Sequence, residues 1–253
     1  MFDFLPAAEV MVLRRAPLRQ VIAQVRFESQ SALGTHQGAA RVHEVLVDDY
    51  PRMLTEQQQV FTMTSAGGVS TVTHPQFRLT DLEQSWSVVM GSEHVTLETN
   101  AYSSWTVLRE RLEAALAAVG SITKLRIRER IGLRYVNHVA SDANGMLTDR
   151  IRPELLGPAS EPAWKQGVDT MISQVVATDG TAQLLLRYGL ADEQSHGRVG
   201  FFIDIDSVDS APVGFSMSDT MSYFDRLNDV GYRCFCWCVP EAHRKQLTTG
   251  DGG

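Results

Sequence analysis

The chain is short of cysteine, of long apolar runs and of basic charge, and each shortage removes a class of protein. Its three cysteines, Cys234, Cys236 and Cys238, are an odd number crowded into "YRCFCWCVP", which is no disulfide framework. No stretch approaches the roughly 20 apolar residues of a membrane-spanning helix. With 23 Lys+Arg against 30 Asp+Glu the formal net charge is −7. That disfavours a generalised nucleic-acid or anionic-membrane surface, though a local basic stripe remains open. The first residues, "MFDFLPAAEVMVLRRAPL", lack the charge order of a secretory signal. Asp3 and Glu9 lie inside the apolar part, and Arg14 and Arg15 follow it. A cytoplasmic location is the expectation.

The common catalytic signatures are missing too. "GSITK" at 120–124 lacks the leading glycine of a phosphate-binding loop. No Gly-x-Gly-x-x-Gly follows a strand, and there is no Gly-x-Ser-x-Gly elbow. His43-Glu44 has no second histidine at the zinc-protease spacing, and the seven histidines are scattered singly. No cofactor and no metal are expected, and the sequence leans away from an enzyme. The terminal diglycine of "TTGDGG" is read as part of a flexible tail, 248–253.

What is present is an ordinary globular composition, 253 residues with 43% hydrophobic and 21% charged. Val21, Ala23, Val25 and Phe27 alternate, predicting a strand over 20–28. A helix follows in 37–54, ending by Tyr50 before Pro51. Strands are predicted at 58–65 and 76–82, separated by a loop at Gly67-Gly68, and a pair at 85–102 turns at Gly91-Ser92. In 104–119 Val107, Leu108, Leu112, Ala115, Leu116 and Val119 form a helical stripe. Ser103 or Ser104 would cap its start and Gly120 its end. The second half predicts a strand at 130–139 and a helical or turn-like stretch at 144–157 interrupted by Pro153. Three antiparallel strands at 169–180, 182–192 and 197–208 follow, then a helix from Ser218 past Val230.

A shift of about 108 residues lays Val25-Arg26-Phe27 on Leu133-Arg134-Tyr135 and Val95–Glu98 on Ile203–Asp206. It also carries the 105–119 helix onto 213–227. The expectation is therefore an α+β protein of internally duplicated strand-helix-antiparallel strands-helix units, 1–122 and 123–247. It would have two antiparallel sheets, each covered by helices, with a ligand site at the inter-repeat surface.

"APLRQVIAQVRFE", "RERIGLRYVN" and the late "V-x-E-A-x-R" resemble a sporadically distributed, uncharacterised bacterial family of conserved hypothetical proteins of about this length. The run Ile131 to Asn137 is the most specific part. The cysteine-rich end and Pro153 depart from the family pattern. The resemblance implies no activity; its patchy occurrence implies an accessory system such as phage defence or toxin neutralisation.

Among chemistry-bearing residues the arginine ladder stands out: Arg126, Arg128, Arg130 and Arg134 share one face of an extended strand, with Arg26 as the counterpart of Arg134. Four guanidiniums could bind phosphate or carboxylate bidentately, and Asn137, at the end of the same strand, is a further candidate ligand-binding residue. The structural alternative is a solvated face, or pairing with Glu98, Asp204 and Asp206. The leading expectation is a non-catalytic binding protein with a protein partner or a homo-oligomeric state. The alternatives are an anionic-ligand or nucleic-acid binder using the arginines, or a metal-dependent phosphate-processing enzyme using Asp204 and Asp206. The cysteines read as packing: if the helix continues, Phe224, Leu227, Val230, Gly231, Cys234, Phe235 and Cys238 make one stripe, Cys236 lies off it, and Pro240 opens a short helix, whereas on a strand all three sulfurs would share one face with Tyr232.

Overall fold

A computed structural model of the chain describes every residue except 64–68, 143–145, 162, 163, 165, 166, 169, 194–197 and 250–253. The chain is α+β. Its first strands and helices are β1 (Leu18–Phe27), α1 (His36–Leu46), β2 (Arg52–Met63), β3 (Val69–Thr80), β4 (Trp86–Gly91), β5 (His94–Thr99) and α2 (Trp105–Ile122). There follow β6 (Ile127–Ala140), α3 (Pro153–Leu156), β7 (Met171–Asp179), β8 (Ala182–Glu193), β9 (Arg198–Asp209), β10 (Val213–Gly214), α4 (Met217–Cys238) and α5 (Glu241–Thr248). The expected Gly67-Gly68 loop and the last residues of the tail lie outside the described residues.

The two expected sheets are replaced by one. The ten strands of the described residues share a sheet of order β2-β3-β4-β5-β1-β6-β9-β8-β7, with β10 added beside β6. The error has a physical source. Alternation of side chains reports which face of a strand is buried, and says nothing about which strand lies alongside it. β1 and β6 each read as the first strand of a separate unit, and they are hydrogen-bonded neighbours.

Two compact units divide the chain. Unit I comprises Ile22–Gly132 and Ser210–Tyr223. In it β2 to β5 form an antiparallel meander with registers such as Leu79↔Val88 and Val88↔Leu97. Phe27, Leu79, Val88, Met90, Val95 and Leu97 are buried on one side of the sheet, as are Leu108, Leu112, Leu116 and Val119 of α2. Each such side chain stabilises by about 1.5–3 kcal/mol. Ser104 caps α2 by accepting from the Val107 amide. The helix runs through Gly120 and ends at Thr123, so this glycine is not the terminator the sequence suggested.

Unit II comprises Met1–Val21, Leu133–Asp209 and Phe224–Gly253. Its core joins Leu184, Leu186, Phe201, Ile203 and Ile205 of the strands to Val230, Cys234, Phe235 and Cys238 of α4. Gly231 brings α4 close to β6, since a Cβ there would meet the Tyr135 ring at 2.9 Å. Cys236 is buried as well. Phe2 and Leu5 of the N-terminal segment belong to the same core, and the Arg233 guanidinium donates to the Met1 and Leu5 carbonyls. More than one stripe of α4 is thus covered. All three cysteines are free thiols; burial pushes the Cys236 thiol up, and Cys238, hydrogen-bonded to Cys234 and buried, is pushed well up. These thiols pack rather than react. Pro153 opens α3 instead of interrupting a helix, and Pro240 is the N-cap of α5.

Candidate functional site

In unit I, the strand pleat sends alternate residues to the face opposite the buried side chains, and the polar residues there are joined strand to strand. The Arg78 guanidinium donates from Nε to Glu56 Oε1 at 2.7 Å and from Nη1 to Glu98 Oε2 at 2.8 Å, so one base bridges two acids. Gln76 donates to the same Glu56 carboxylate at 2.8 Å. Hydrogen bonding from Arg78 holds the Glu56 carboxyl below its ordinary range. On Arg78 itself burial acts downward, and the two glutamates outweigh it and raise the guanidinium.

Beside this triad the Gln24 amide is fixed from both sides. It donates to Thr96 Oγ1 at 2.9 Å and accepts from Arg130 Nη1 at 3.0 Å. Next along β1, Arg26 Nη2 meets Glu93 Oε2 at 3.2 Å, with both side chains nearly half exposed (46% and 49%). Gln24, Arg26 and Glu93, together with His74, Pro75, Gly91, Ser92 and His94, line a pocket of about 390 Å³, all of it within unit I. That volume lies in the range of small-molecule sites. A Cβ at Gly91 would stand 2.8 Å from the His94 ring, so a side chain there would require that ring to shift. Burial, and then the charge of Arg26, lower the pKa of His94.

The ladder arginines differ in surroundings and are divided between the two units. Arg126 is exposed just before β6, where its backbone N–H donates to Glu28 Oε1 at 2.7 Å. Arg128 is buried in unit I with its guanidinium 5.0 Å from the centre of the Tyr223 ring. Arg130 holds Gln24, and Arg26 lines the pocket. Arg134 belongs to unit II, as does Asn137, which is buried and donates to the Ile203 carbonyl at 3.3 Å. Of the six residues singled out from sequence, the pocket and its support therefore bring together Arg26 and Arg130.

Arg134 sits in a second charged cluster. Its Nε and Nη2 both lie 2.7 Å from the Asp204 carboxylate, and Arg187 Nη2 reaches Asp204 Oδ2 at 2.7 Å. Asp204 is only 8% exposed. Hydrogen bonding to Asp204 raises the Arg134 guanidinium, with Asp206 adding to the attraction. This carboxylate uses both oxygens on guanidiniums, so a metal would have to displace them. Among the described residues no three His, Cys, Asp or Glu side chains converge as metal ligands do, and no helix is long and apolar enough to cross a membrane.

Sequence reading missed Glu56, Arg78 and Arg187. Arg78 was visible as a charge inside the predicted strand "QFRLTDL", and Arg187 as the charge inside the apolar stretch "LLLRYGLA". A lone charge in an apolar strand signals a partner on the neighbouring strand, but the register that names the partner comes only from the fold. No family model matches the chain, and no curated protein matches it.

Proposed function

We propose that the protein is a non-catalytic binding protein of a bacterial accessory system, and that its ligand site is the pocket of unit I around Gln24, Arg26 and His94. One observation carries the reading: an open pocket of small-molecule size whose lining includes Arg26, Glu93 and a Gln24 amide that is already oriented. Gln24 presents a rotamer fixed by Thr96 and Arg130, which lowers the ordering cost of binding. The Arg26–Glu93 pair is exposed, and such pairs contribute only about 0–1 kcal/mol. A ligand can therefore part them at little cost, with its carboxylate or phosphate on Arg26 and any ammonium group on Glu93. The accessory-system setting rests on the resemblance of the Ile131–Asn137 run.

The test is a thermal-shift screen with glutamate, glycylglycine and adenosine monophosphate as probes, followed by calorimetric titration. The expected result is a rise in melting temperature with one of them, abolished by Arg26→Ala and kept by Arg134→Lys. Chemical conversion of the probe, or binding indifferent to Arg26→Ala, overturns the reading. A second reading, anion or nucleic-acid binding, has the exposed Arg126 in its favour. It requires a salt-dependent affinity lost in Arg126→Glu.

A further inference from the structure

An edge strand presents a row of unpaired backbone N–H and C=O groups, and proteins that stay monomeric guard it with charge, proline, a bulge or a cover. β2, at one end of the strand order, carries Arg52 and Glu56. β7, at the other end, reads MISQVVATD and carries no charge and no proline before Asp179. Its pairing with β8 is unbroken from Met171↔Leu190 to Asp179↔Ala182, so no bulge bends it. Among the described residues β8 is its sole hydrogen-bonded neighbour. Ile172, Val175 and Val176 are 70%, 50% and 53% exposed. Because Val175 and Val176 point to opposite faces, the strand has an exposed valine on each, although Met171 and Ala177 pack against the core.

We propose that β7 pairs with β7 of a second copy of this chain, in a two-fold antiparallel contact centred on Val175. The strand's own chemistry selects a copy of itself. In that register Val175 meets its symmetry mate, Gln174 lies across from Val176, Ser173 from Ala177 and Ile172 from Thr178, with no charge anywhere in the paired stretch. β-branched residues across a strand pair are favourable neighbours, and like charges are what such a contact has to avoid. The single charge at the end, Asp179, would lie across from Met171. It is already engaged, accepting from the Phe2 amide at 2.8 Å with the Met1 ammonium 3.8 Å away. An isologous contact closes after two copies, so pairing at this edge stops at a dimer.

The contact is independent of the pocket in unit I. Sedimentation velocity across a wide range of protein concentration, with hydrogen exchange of the β7 amides, tests it. The wild type is expected to reach the mass of a dimer. Val175→Lys is expected to halve that mass and speed exchange from Ile172 to Thr178, with an unchanged circular-dichroism spectrum. If Val175→Lys loses that spectrum, Val176→Lys poses the same test from the other face. A wild type that stays monomeric at every concentration, or a dimer that folded lysine variants leave intact, overturns the proposal.

Discussion

The two charged clusters are built from the same parts in opposite order. In unit I an arginine stands between two glutamates, and in unit II an aspartate stands between two arginines. The shared group decides what each cluster can do. Asp204 is short and nearly buried, and its oxygens are taken by the Arg134 fork and a single Arg187 N–H, so unit II's cluster is closed and contributes to stability. Arg78 is longer and binds each glutamate through a single N–H, and the next strands leave Gln24, Arg26 and His94 around an open pocket. One face holds its charges to itself, and the other keeps polar groups in reach of a ligand.

The largest effect that sharpens this contrast is expected at Asp204. Asp204→Ala removes the shared carboxylate and leaves two partly buried cations facing each other, which costs about 3 kcal/mol. The urea midpoint of unfolding reads it, and a loss under about 1 kcal/mol would mean the cluster is an ordinary surface pair. Arg78→Ala removes charged hydrogen bonds in a more open setting, and about 2 kcal/mol is expected. A smaller step comes from keeping the charge and losing the fork. Arg134→Lys breaks the bidentate contact and should cost about 1 kcal/mol. Arg187→Lys, which replaces a single contact, should cost less, and equal losses would contradict the assigned geometry.

The smallest effect is on pH dependence. His94 and His243 are both held below the ordinary histidine pKa, chiefly by burial. The unfolded chain then takes up these protons more readily than the folded one. Stability is full above about pH 6.5 and falls as pH drops from there through the lowered folded values. His94→Gln is expected to flatten that acid limb, as followed by chemical denaturation at a series of pH values.

Strands and helices were legible where periodicity was strong. Val21 to Phe27, the Leu108–Val119 stripe and the Phe224–Cys238 stripe each lie on a strand or helix of the expected kind. What periodicity does not carry is lateral neighbourhood, and the expectation of two sheets failed there. Register is the same kind of information. Glu98 looked like a partner for the β6 arginines and is bonded to Arg78 on β3 instead. Asp204, one of three acidic residues that the sequence offered as partners for the arginine row, is bonded to Arg134. Gly120 and Pro153 show the limit of punctuation residues, since α2 passes through the first and α3 starts at the second.

The central claim is that unit I's polar face receives a ligand while unit II's charged cluster is closed. Backbone amide and histidine NMR of the labelled protein, titrated with the best probe of the thermal-shift screen, tests it most directly. Shifts centred on Gln24, Arg26, Gly91 and His94, with the resonances of Arg134, Arg187 and Asp204 unmoved, are the predicted result. Shifts centred on Asp204 and its two arginines, with the pocket silent, would contradict it.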